Sequence, residues 1–298
     1  MSGYPRPRLT IVSVLFGGAD TLRETLPTWR ESLTADVEVV FVDHSARALD
    51  VDLGLARWAR YEWNPENPGF AAGVNRAVHL ARSDRVFLLN PDVFLTEEAL
   101  RAVVEEQSDG LLAVALRTDG QVHVGIEYSW WGFCRDRTNL DRHLVGPSGG
   151  AAVFPSDLVL RSHPFPDHLF AWGEDAEWGL GLCASGIITR ELKGVVLEHV
   201  GGHSVDNPRG QQLKARLLVR NRIATFRRVL GLRTKLSIGA PFFAAIVVNL
   251  ARKVMQGTAR AYIRGVLEGL RLPLPPLDGP KLSWAQWKRF TADGGERG

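Results

Sequence analysis

The segment Phe87-Leu88-Leu89-Asn90-Pro91-Asp92-Val93 constrains the fold most. Three apolar residues run straight into Asn-Pro-Asp. Pro91 cannot donate to a sheet ladder, so a buried strand has to stop at Leu89. Asp92 then leaves the strand's carboxyl end on a stiff turn. In open α/β sheets that edge is where ligands bind. A carboxylate held there suits a divalent cation carrying phosphate oxygens, because hard cations prefer oxygen ligands. The competing role is structural: Asp92 could cap a helix expected to begin near Thr96.

The surrounding sequence alternates strand and helix signals. Residues 9–16 (LTIVSVLF), 37–42 (VEVVFV), 57–63, 85–90 and 111–116 read as strands. Helices are expected from Asp20 or Thr21 to about 33, over 71–81 and over 97–106. This order predicts an α/β fold with a mainly parallel sheet covered on both faces. Right-handed crossovers would bring Phe16, Asp43, Asn67 and Asp92 to one edge of that sheet.

Beyond residue 119 the pattern weakens to loops and a short hairpin. A strand is expected over 148–154, and a helix opening at Trp172-Gly173-Glu174-Asp175 and ending near Gly186. Short strands follow at 187–189 and 194–197, then a loop from His199 to Ser204. After Arg209 the sequence turns helical and basic, with a helix over 213–230. The uncharged run 237–250 is shorter than the ~20 residues of a membrane span. It suits a buried helix or one lying in a membrane interface. Pro273, Pro275, Pro276 and Pro280 predict an irregular tail, with 293–298 disordered. The expected division is a domain over 1–210 and a basic helical extension over 211–298.

Charge is unevenly distributed. Residues 207–267 contain 13 Lys or Arg and no Asp or Glu, leaving 23 basic against 33 acidic residues elsewhere. Such asymmetry predicts an anionic partner: a membrane surface, a phosphate-bearing substrate or nucleic acid. No recognised nucleic-acid-binding motif accompanies the basic stretch, so nucleic acid is not expected. The first residues lack the long apolar core of a signal peptide, and Cys134 and Cys183 form no disulfide framework. The expected location is cytoplasmic, peripheral at the inner face of the cell membrane.

Several residues could carry chemistry. Asp43 ends a buried strand and could accept from a nucleobase imide, or simply form a turn with Ser45. Asn67-Pro68-Gly69-Phe70-Ala71-Ala72-Gly73-Val74-Asn75 runs from loop into helix. Its small residues let a ligand approach, and free N–H groups at a helix start receive phosphate. They equally suit a tight helix–sheet contact. Glu174 and Asp175 sit at a helix start, where acids ordinarily stabilise the macrodipole. Trp172 beside them offers a platform for a sugar ring. His199 follows a strand and could join Asp92 at a cation, with His203 competing for the role. No HExxH, GxSxG, GxGxxG or GxxxxGK[ST] pattern is present, so zinc-hydrolase, serine-hydrolase and dinucleotide-binding or P-loop readings lose support.

Taken in order, Val40-Phe41-Val42-Asp43-His44-Ser45, Asn67 to Asn75, Leu88-Leu89-Asn90-Pro91-Asp92, Gly149-Gly150-Ala151-Ala152-Val153-Phe154, Trp172 to Asp175, His199 to Ser204 and Arg220-Asn221-Arg222 resemble family 2 glycosyltransferases of the GT-A fold, especially the rhamnosyltransferase-like bacterial branch. The resemblance implies a Rossmann-like nucleotide-sugar-binding domain and an inverting, metal-dependent transfer. The donor expected first is dTDP-rhamnose, then UDP-galactofuranose or another UDP-hexose. Asp43 would contact the nucleobase, and Asp92 would hold Mg²⁺ or Mn²⁺ on the diphosphate with His199 nearby. Phe16, Asn67, Gly69, Asn75 and Asn90 would complete the donor side. Asp175 matches the catalytic base, Glu174 would position the base or the acceptor, and Trp172 would stand on the acceptor side. The acceptor would be a hydroxyl of a glycan, a lipid-linked glycan or a small natural product.

Departures from the family pattern fall at Phe16-Gly17-Gly18, His44, Pro68 and Trp172, all bearing on donor choice. A non-catalytic nucleotide-sugar or glycan-binding homologue is the alternative. Nucleotidyl transfer fits less well, because Gly17-Gly18-Ala19-Asp20 offers an acid where a basic residue is expected. The basic region also suits a homodimer contact.

Overall fold

A computed structural model describes residues 6–17, 19–49, 59–108, 110–201 and 207–291. The capping side chains expected at Asp20 or Thr21, His203, the start of the 57–63 strand and the 293–298 tail lie outside the described residues.

The core is a sheet of β1 (Leu9–Leu15), β2 (Val37–Asp43), β3 (Ala59–Trp63), β4 (Arg85–Leu89), β5 (Leu111–Thr118), β6 (Gln121–Val124), β9 (Ala151–Pro155) and β10 (Thr189–Glu198). Its order is β10-β5-β9-β4-β1-β2-β3, with β6 on β5. A hairpin of β7 (Ile126–Tyr128) and β8 (Cys134–Asp136) stands apart. Pairing is parallel for β1–β2, β1–β4, β2–β3 and β5–β10. β9 runs antiparallel between β4 and β5.

Every residue of β1 and β2 is buried, as the continuous apolar runs require of strands covered on both faces. Side chains alternate. Leu9, Ile11, Val39, Phe41 and Phe87 meet Leu22, Leu26 and Trp29 of α1 (Ala19–Ser32) and Leu100 and Val103 of α3 (Glu97–Glu105). Val12, Val14, Val40, Val42 and Leu88 meet Ala71, Val74, Ala77 and Val78 of α2 (Phe70–Leu80). Gly73 of α2 leaves no room for a side chain, since a Cβ would lie 2.7 Å from Val14 and 2.8 Å from His44. The small residues of α2 thus serve close helix–sheet packing.

A second core joins α4 (Glu174–Ala184) and the hairpin to α5 (Pro208–Val229), α6 (Leu232–Met255), α7 (Ala259–Arg271) and α8 (Trp284–Thr291). Phe226 stacks on Phe242 at 4.3 Å, and Tyr128 meets Trp287 edge-on at 5.8 Å. Glu177 of α4 is buried and paired with Arg228 at 2.7 Å, and it accepts from Thr225 at 2.9 Å. Removing one partner from such a pair leaves a buried charge uncompensated.

Three expectations need correction. The strands at 187–189 and 194–197 are one strand, β10, interrupted by a bulge between Glu191 and Val196, with Gly194 at φ +79. A bulge resets side-chain alternation, which hides strand continuity in the sequence. The proline-rich tail ends in α8, whose Trp287 is buried and donates to the Trp130 carbonyl at 3.0 Å. The run 237–250 is the middle of the 24-residue α6, which by length and composition alone suffices to cross a membrane.

Candidate active site

A cleft of about 860 Å³ opens over the carboxyl ends of the central strands. Phe16, Asn67, Gly69, Asn90, Trp172, Glu174, Asp175 and His199 line it. Eight sequence-predicted site residues are therefore brought together from five separate segments.

Asp92 forms the first corner. It does not cap α3; the Thr96 hydroxyl does, accepting from the Ala99 N–H at 3.2 Å. Asp92 Oδ2 lies 3.2 Å from His199 Nε2, and His199 Nδ1 lies 2.9 Å from the Thr118 hydroxyl. The backbone locks the two segments together, because Val200 N–H donates to the Asp92 carbonyl at 2.9 Å. Asp92 Oδ1 and Asn90 Oδ1 are buried without a hydrogen-bond partner. An orphaned buried acceptor costs about 1–3 kcal/mol. Two such oxygens beside an imidazole fit a hard cation. Among the described residues no cluster of three or more His, Cys, Asp or Glu could hold a metal alone. A cation here would draw its other ligands from phosphate oxygens and water, as Mg²⁺ commonly does.

Glu174 and Asp175 form the second corner, at the first turn of α4. Burial first, then repulsion from Asp175, pushes the Glu174 carboxyl up to about 8. Burial also raises Asp175, but two backbone N–H groups oppose the shift: Gly149 at 3.0 Å and Ala176 at 2.7 Å. Hydrogen bonds to a carboxylate favour its charged form. The two carboxyls are thus treated unlike: both are raised by burial, but backbone N–H groups favour the charged form of Asp175.

One dipeptide joins the corners. Gly149 N–H donates to Asp175, and the next residue's carbonyl, Gly150, accepts from Asn90 N–H at 2.9 Å.

The loop over 169–172 is strained. Among the described residues four non-glycines have clearly positive φ: Asn67 (46°), Asp119 (51°), Phe170 (68°) and Trp172 (60°). All four line the cleft. Such conformations cost of order 1–3 kcal/mol each and cluster at functional sites. Asn221 of α5 holds the loop. Its side-chain amide nitrogen lies 3.1, 2.8 and 2.7 Å from the carbonyls of Leu169, Ala171 and Trp172. Arg220 donates to Asn221 Oδ1 at 2.8 Å, fixing the amide's orientation. The loop also touches α2: Phe70 N–H donates to the Phe170 carbonyl at 2.7 Å. That approach requires Gly69, since a Cβ there would lie 2.3 Å from the Phe170 oxygen.

Three predicted residues do not line the cleft: Asp92, which sits against the lining residue His199, and Asp43 and Asn75. Asp43 is fully buried, and its oxygens accept from Ser45 N–H at 2.8 Å and from the Tyr61 hydroxyl. Burial and the Asp43 contact push Tyr61 up to about 12. The turn to Ser45 is thus the role this structure shows, and a nucleobase would have to displace Tyr61. Asn75 is committed in both directions to the Phe165 backbone, donating and accepting at 2.9 Å. The first N–H of α2 is likewise taken by Phe170, so the phosphate-receiving helix start is partly closed. Conversely, the cleft gains Thr118, His123 and Arg222, which the sequence reading did not single out. Thr118 and His123 lie on β5 and β6, paired through a tight turn, and carried no signal. Arg222 sat in a noted tripeptide without a role.

Comparison with known proteins agrees with this architecture. Residues 10–143 match the sequence profile of glycosyl transferase family 2. That stretch includes Asp43, Asn67 and Asp92 and stops before Glu174, Asp175 and His199. The fold resembles a mannosyltransferase from Pyrobaculum calidifontis solved with GDP-Man and Mn²⁺, at TM-score 0.54 and 15% identity, covering 89% of this chain and 88% of that one. It also resembles S. aureus TarS residues 1–349 solved with UDP-GlcNAc, at TM-score 0.57 and 13% identity, covering 89% and 81%. At such identity the likeness establishes the fold: a GT-A-like α/β domain with a helical C-terminal region. No curated protein sequence matches the chain.

Proposed function

We propose that the cleft transfers a sugar from a nucleotide-sugar to a hydroxyl acceptor with inversion. The observation that carries this reading is the coupling of two unlike acidic corners through Gly149-Gly150. One corner suits a cation on a diphosphate and the other takes a proton. Asp92 and His199, with Asn90 beside them, would hold a divalent cation, Mg²⁺ or Mn²⁺. When bound, that cation neutralises charge on the leaving diphosphate.

Asp175 is the base. It accepts the acceptor's hydroxyl proton as that oxygen bonds to the anomeric carbon. The bond from that carbon to the diphosphate oxygen breaks, and the nucleoside diphosphate leaves. Glu174, pushed up to about 8, keeps its proton at neutral pH. Its buried Oε2 has no hydrogen-bond partner, which leaves it available to orient a group at this corner. Trp172 shapes the acceptor side. Arg222 adds a positive charge to the cleft wall, suited to phosphate. With Asp175 as the base and the acceptor oxygen attacking directly, the transfer is a single displacement with inversion.

The solved relatives hold GDP-Man and UDP-GlcNAc. The family branch suggested by the motifs puts dTDP-rhamnose first, ahead of UDP-galactofuranose and other UDP-hexoses. The test is a thermal-shift panel of dTDP, UDP and GDP with their sugar conjugates, each with Mn²⁺, Mg²⁺ or chelator. A metal-dependent rise with one nucleotide is expected. A nucleotide-sugar that binds yet is neither transferred nor hydrolysed would favour the non-catalytic homologue.

A further inference from the structure

The outer face of α6 is apolar and uncovered. Thr234, Ile238, Phe242 and Ile246 form its buried stripe, four residues apart. On the opposite side Leu236 is 76% exposed, Val247 68% and Val248 72%, with Leu232, Phe243, Val254 and Met255 also exposed. Ile263, Leu267 and Leu270 of α7 are exposed too. Isolated exposed apolar side chains are ordinary, but a row along one helix is not.

Charge brackets this row. Between Lys235 and Arg252, α6 has 16 residues without charge, about 24 Å of helix. Arg233 and Lys235 stand at one end, and Arg252 and Lys253 at the other. Arg260 and Arg264 of α7 are exposed nearby in sequence. Residues 207–267 carry no acid at all.

We propose that the α6–α7 face docks in the plane of an anionic lipid bilayer, the apolar row entering the headgroup boundary and the terminal basic residues meeting lipid phosphates. A second copy of the chain fits less well. Antiparallel pairing of two α6 faces would set Arg233 and Lys235 against Arg252 and Lys253, like charge on like. A membrane span fits less well too, because Ile238, Phe242 and Ile246 of α6 are packed into the second core. The buried stripe also holds α6 to the globular body. This inference is independent of the reaction proposed above, although it bears on how a lipid-linked acceptor would be met. Arg222 of the cleft wall lies 3.9 Å over the Phe133 ring, and Phe133 meets Phe242 of α6 at 6.0 Å. One ring pair therefore links the cleft wall to the buried side of α6, whose opposite side carries the exposed row.

The test is co-sedimentation of the full chain with phosphatidylcholine vesicles with and without phosphatidylglycerol. Binding is expected to be at least tenfold stronger with the anionic lipid and to fall at least tenfold at about 1 M salt, where the Debye length is ~3 Å. Val247→Glu and Leu236→Glu should each weaken it about tenfold or more with unchanged melting temperature, since both side chains face solvent. Arg233→Gln with Arg252→Gln should lower binding and its salt dependence together. No binding at low salt, or binding indifferent to all of these changes, overturns the proposal. So does a dimer broken by Val247→Glu, which would make the face a self-interface. Binding that survives high salt and alkaline carbonate would also overturn it, since α6 would then span the bilayer.

Discussion

The two acidic corners of the cleft use the same functional group to opposite ends. At Asp92 one oxygen faces an imidazole and the other is left without a donor. At Glu174–Asp175 two carboxyls crowd into a buried turn, and backbone N–H groups serve one of them only. The first arrangement leaves lone pairs waiting for a cation. The second gives two neighbouring carboxyls unlike surroundings, with the backbone N–H groups favouring charge on Asp175. Environment, not residue type, assigns the roles.

Breaking the second corner should have the largest effect. Asp175→Asn keeps the size and loses the base, and turnover should fall about 10³-fold, within the span expected of general bases. Normal turnover in that variant, measured by release of nucleoside diphosphate, would end the assignment. Breaking the first corner comes next. Asp92→Asn should lower the rate roughly 10²-fold and abolish the metal-dependent part of the nucleotide thermal shift, while leaving any metal-independent part. A variant that still needs metal in full would move the cation elsewhere.

Asn221→Ala tests the support between corner and helix layer. It strips the shared donor from three carbonyls, with a stability loss of about 1–3 kcal/mol. The KM for acceptor should rise more than that for donor, because the loop carries Trp172. Equal changes in both would reduce Asn221 to a structural residue.

The smallest effect is on the pH profile of stability. Folding raises Glu174 from 4.5 to about 8, so the folded state holds its proton where the unfolded chain has released it. Stability contributed at this position thus falls as pH climbs between about 4.5 and 8, then levels. Glu174→Gln should flatten that slope and gain relative stability above pH 8. Parallel wild-type and variant melting curves across this range would mean that Glu174 titrates normally.

Much of this was legible in the sequence, for physical reasons. Buried parallel strands need unbroken apolar runs, so β1, β2 and β4 announced themselves. Pro91 fixed where β4 ends, and that alone placed Asp92. What the sequence left hidden lies where tertiary context decides. Asp43 looked available because its partner, Tyr61, lies 18 residues away on a neighbouring strand. Asn75 looked like a ligand group because nothing local shows that Phe165 will claim its amide. The bulge in β10 split one strand into two. Thr118 and His123 reach the cleft through β-pairing, which leaves no mark on composition. Asn221 stood within a noted tripeptide, but its purpose appears only once the 169–172 loop is seen against α5.

The dependence of that loop on Asn221 also has a consequence in time. Chains are made from the N-terminus, and domains fold as they emerge. By Glu198 every strand of the sheet has been synthesised, and with it both acidic corners. The amide that holds Trp172 in its strained turn arrives only with α5. A half-made chain would therefore own the parts of the cleft without its working shape, and the cleft would become competent only once α5 has been made.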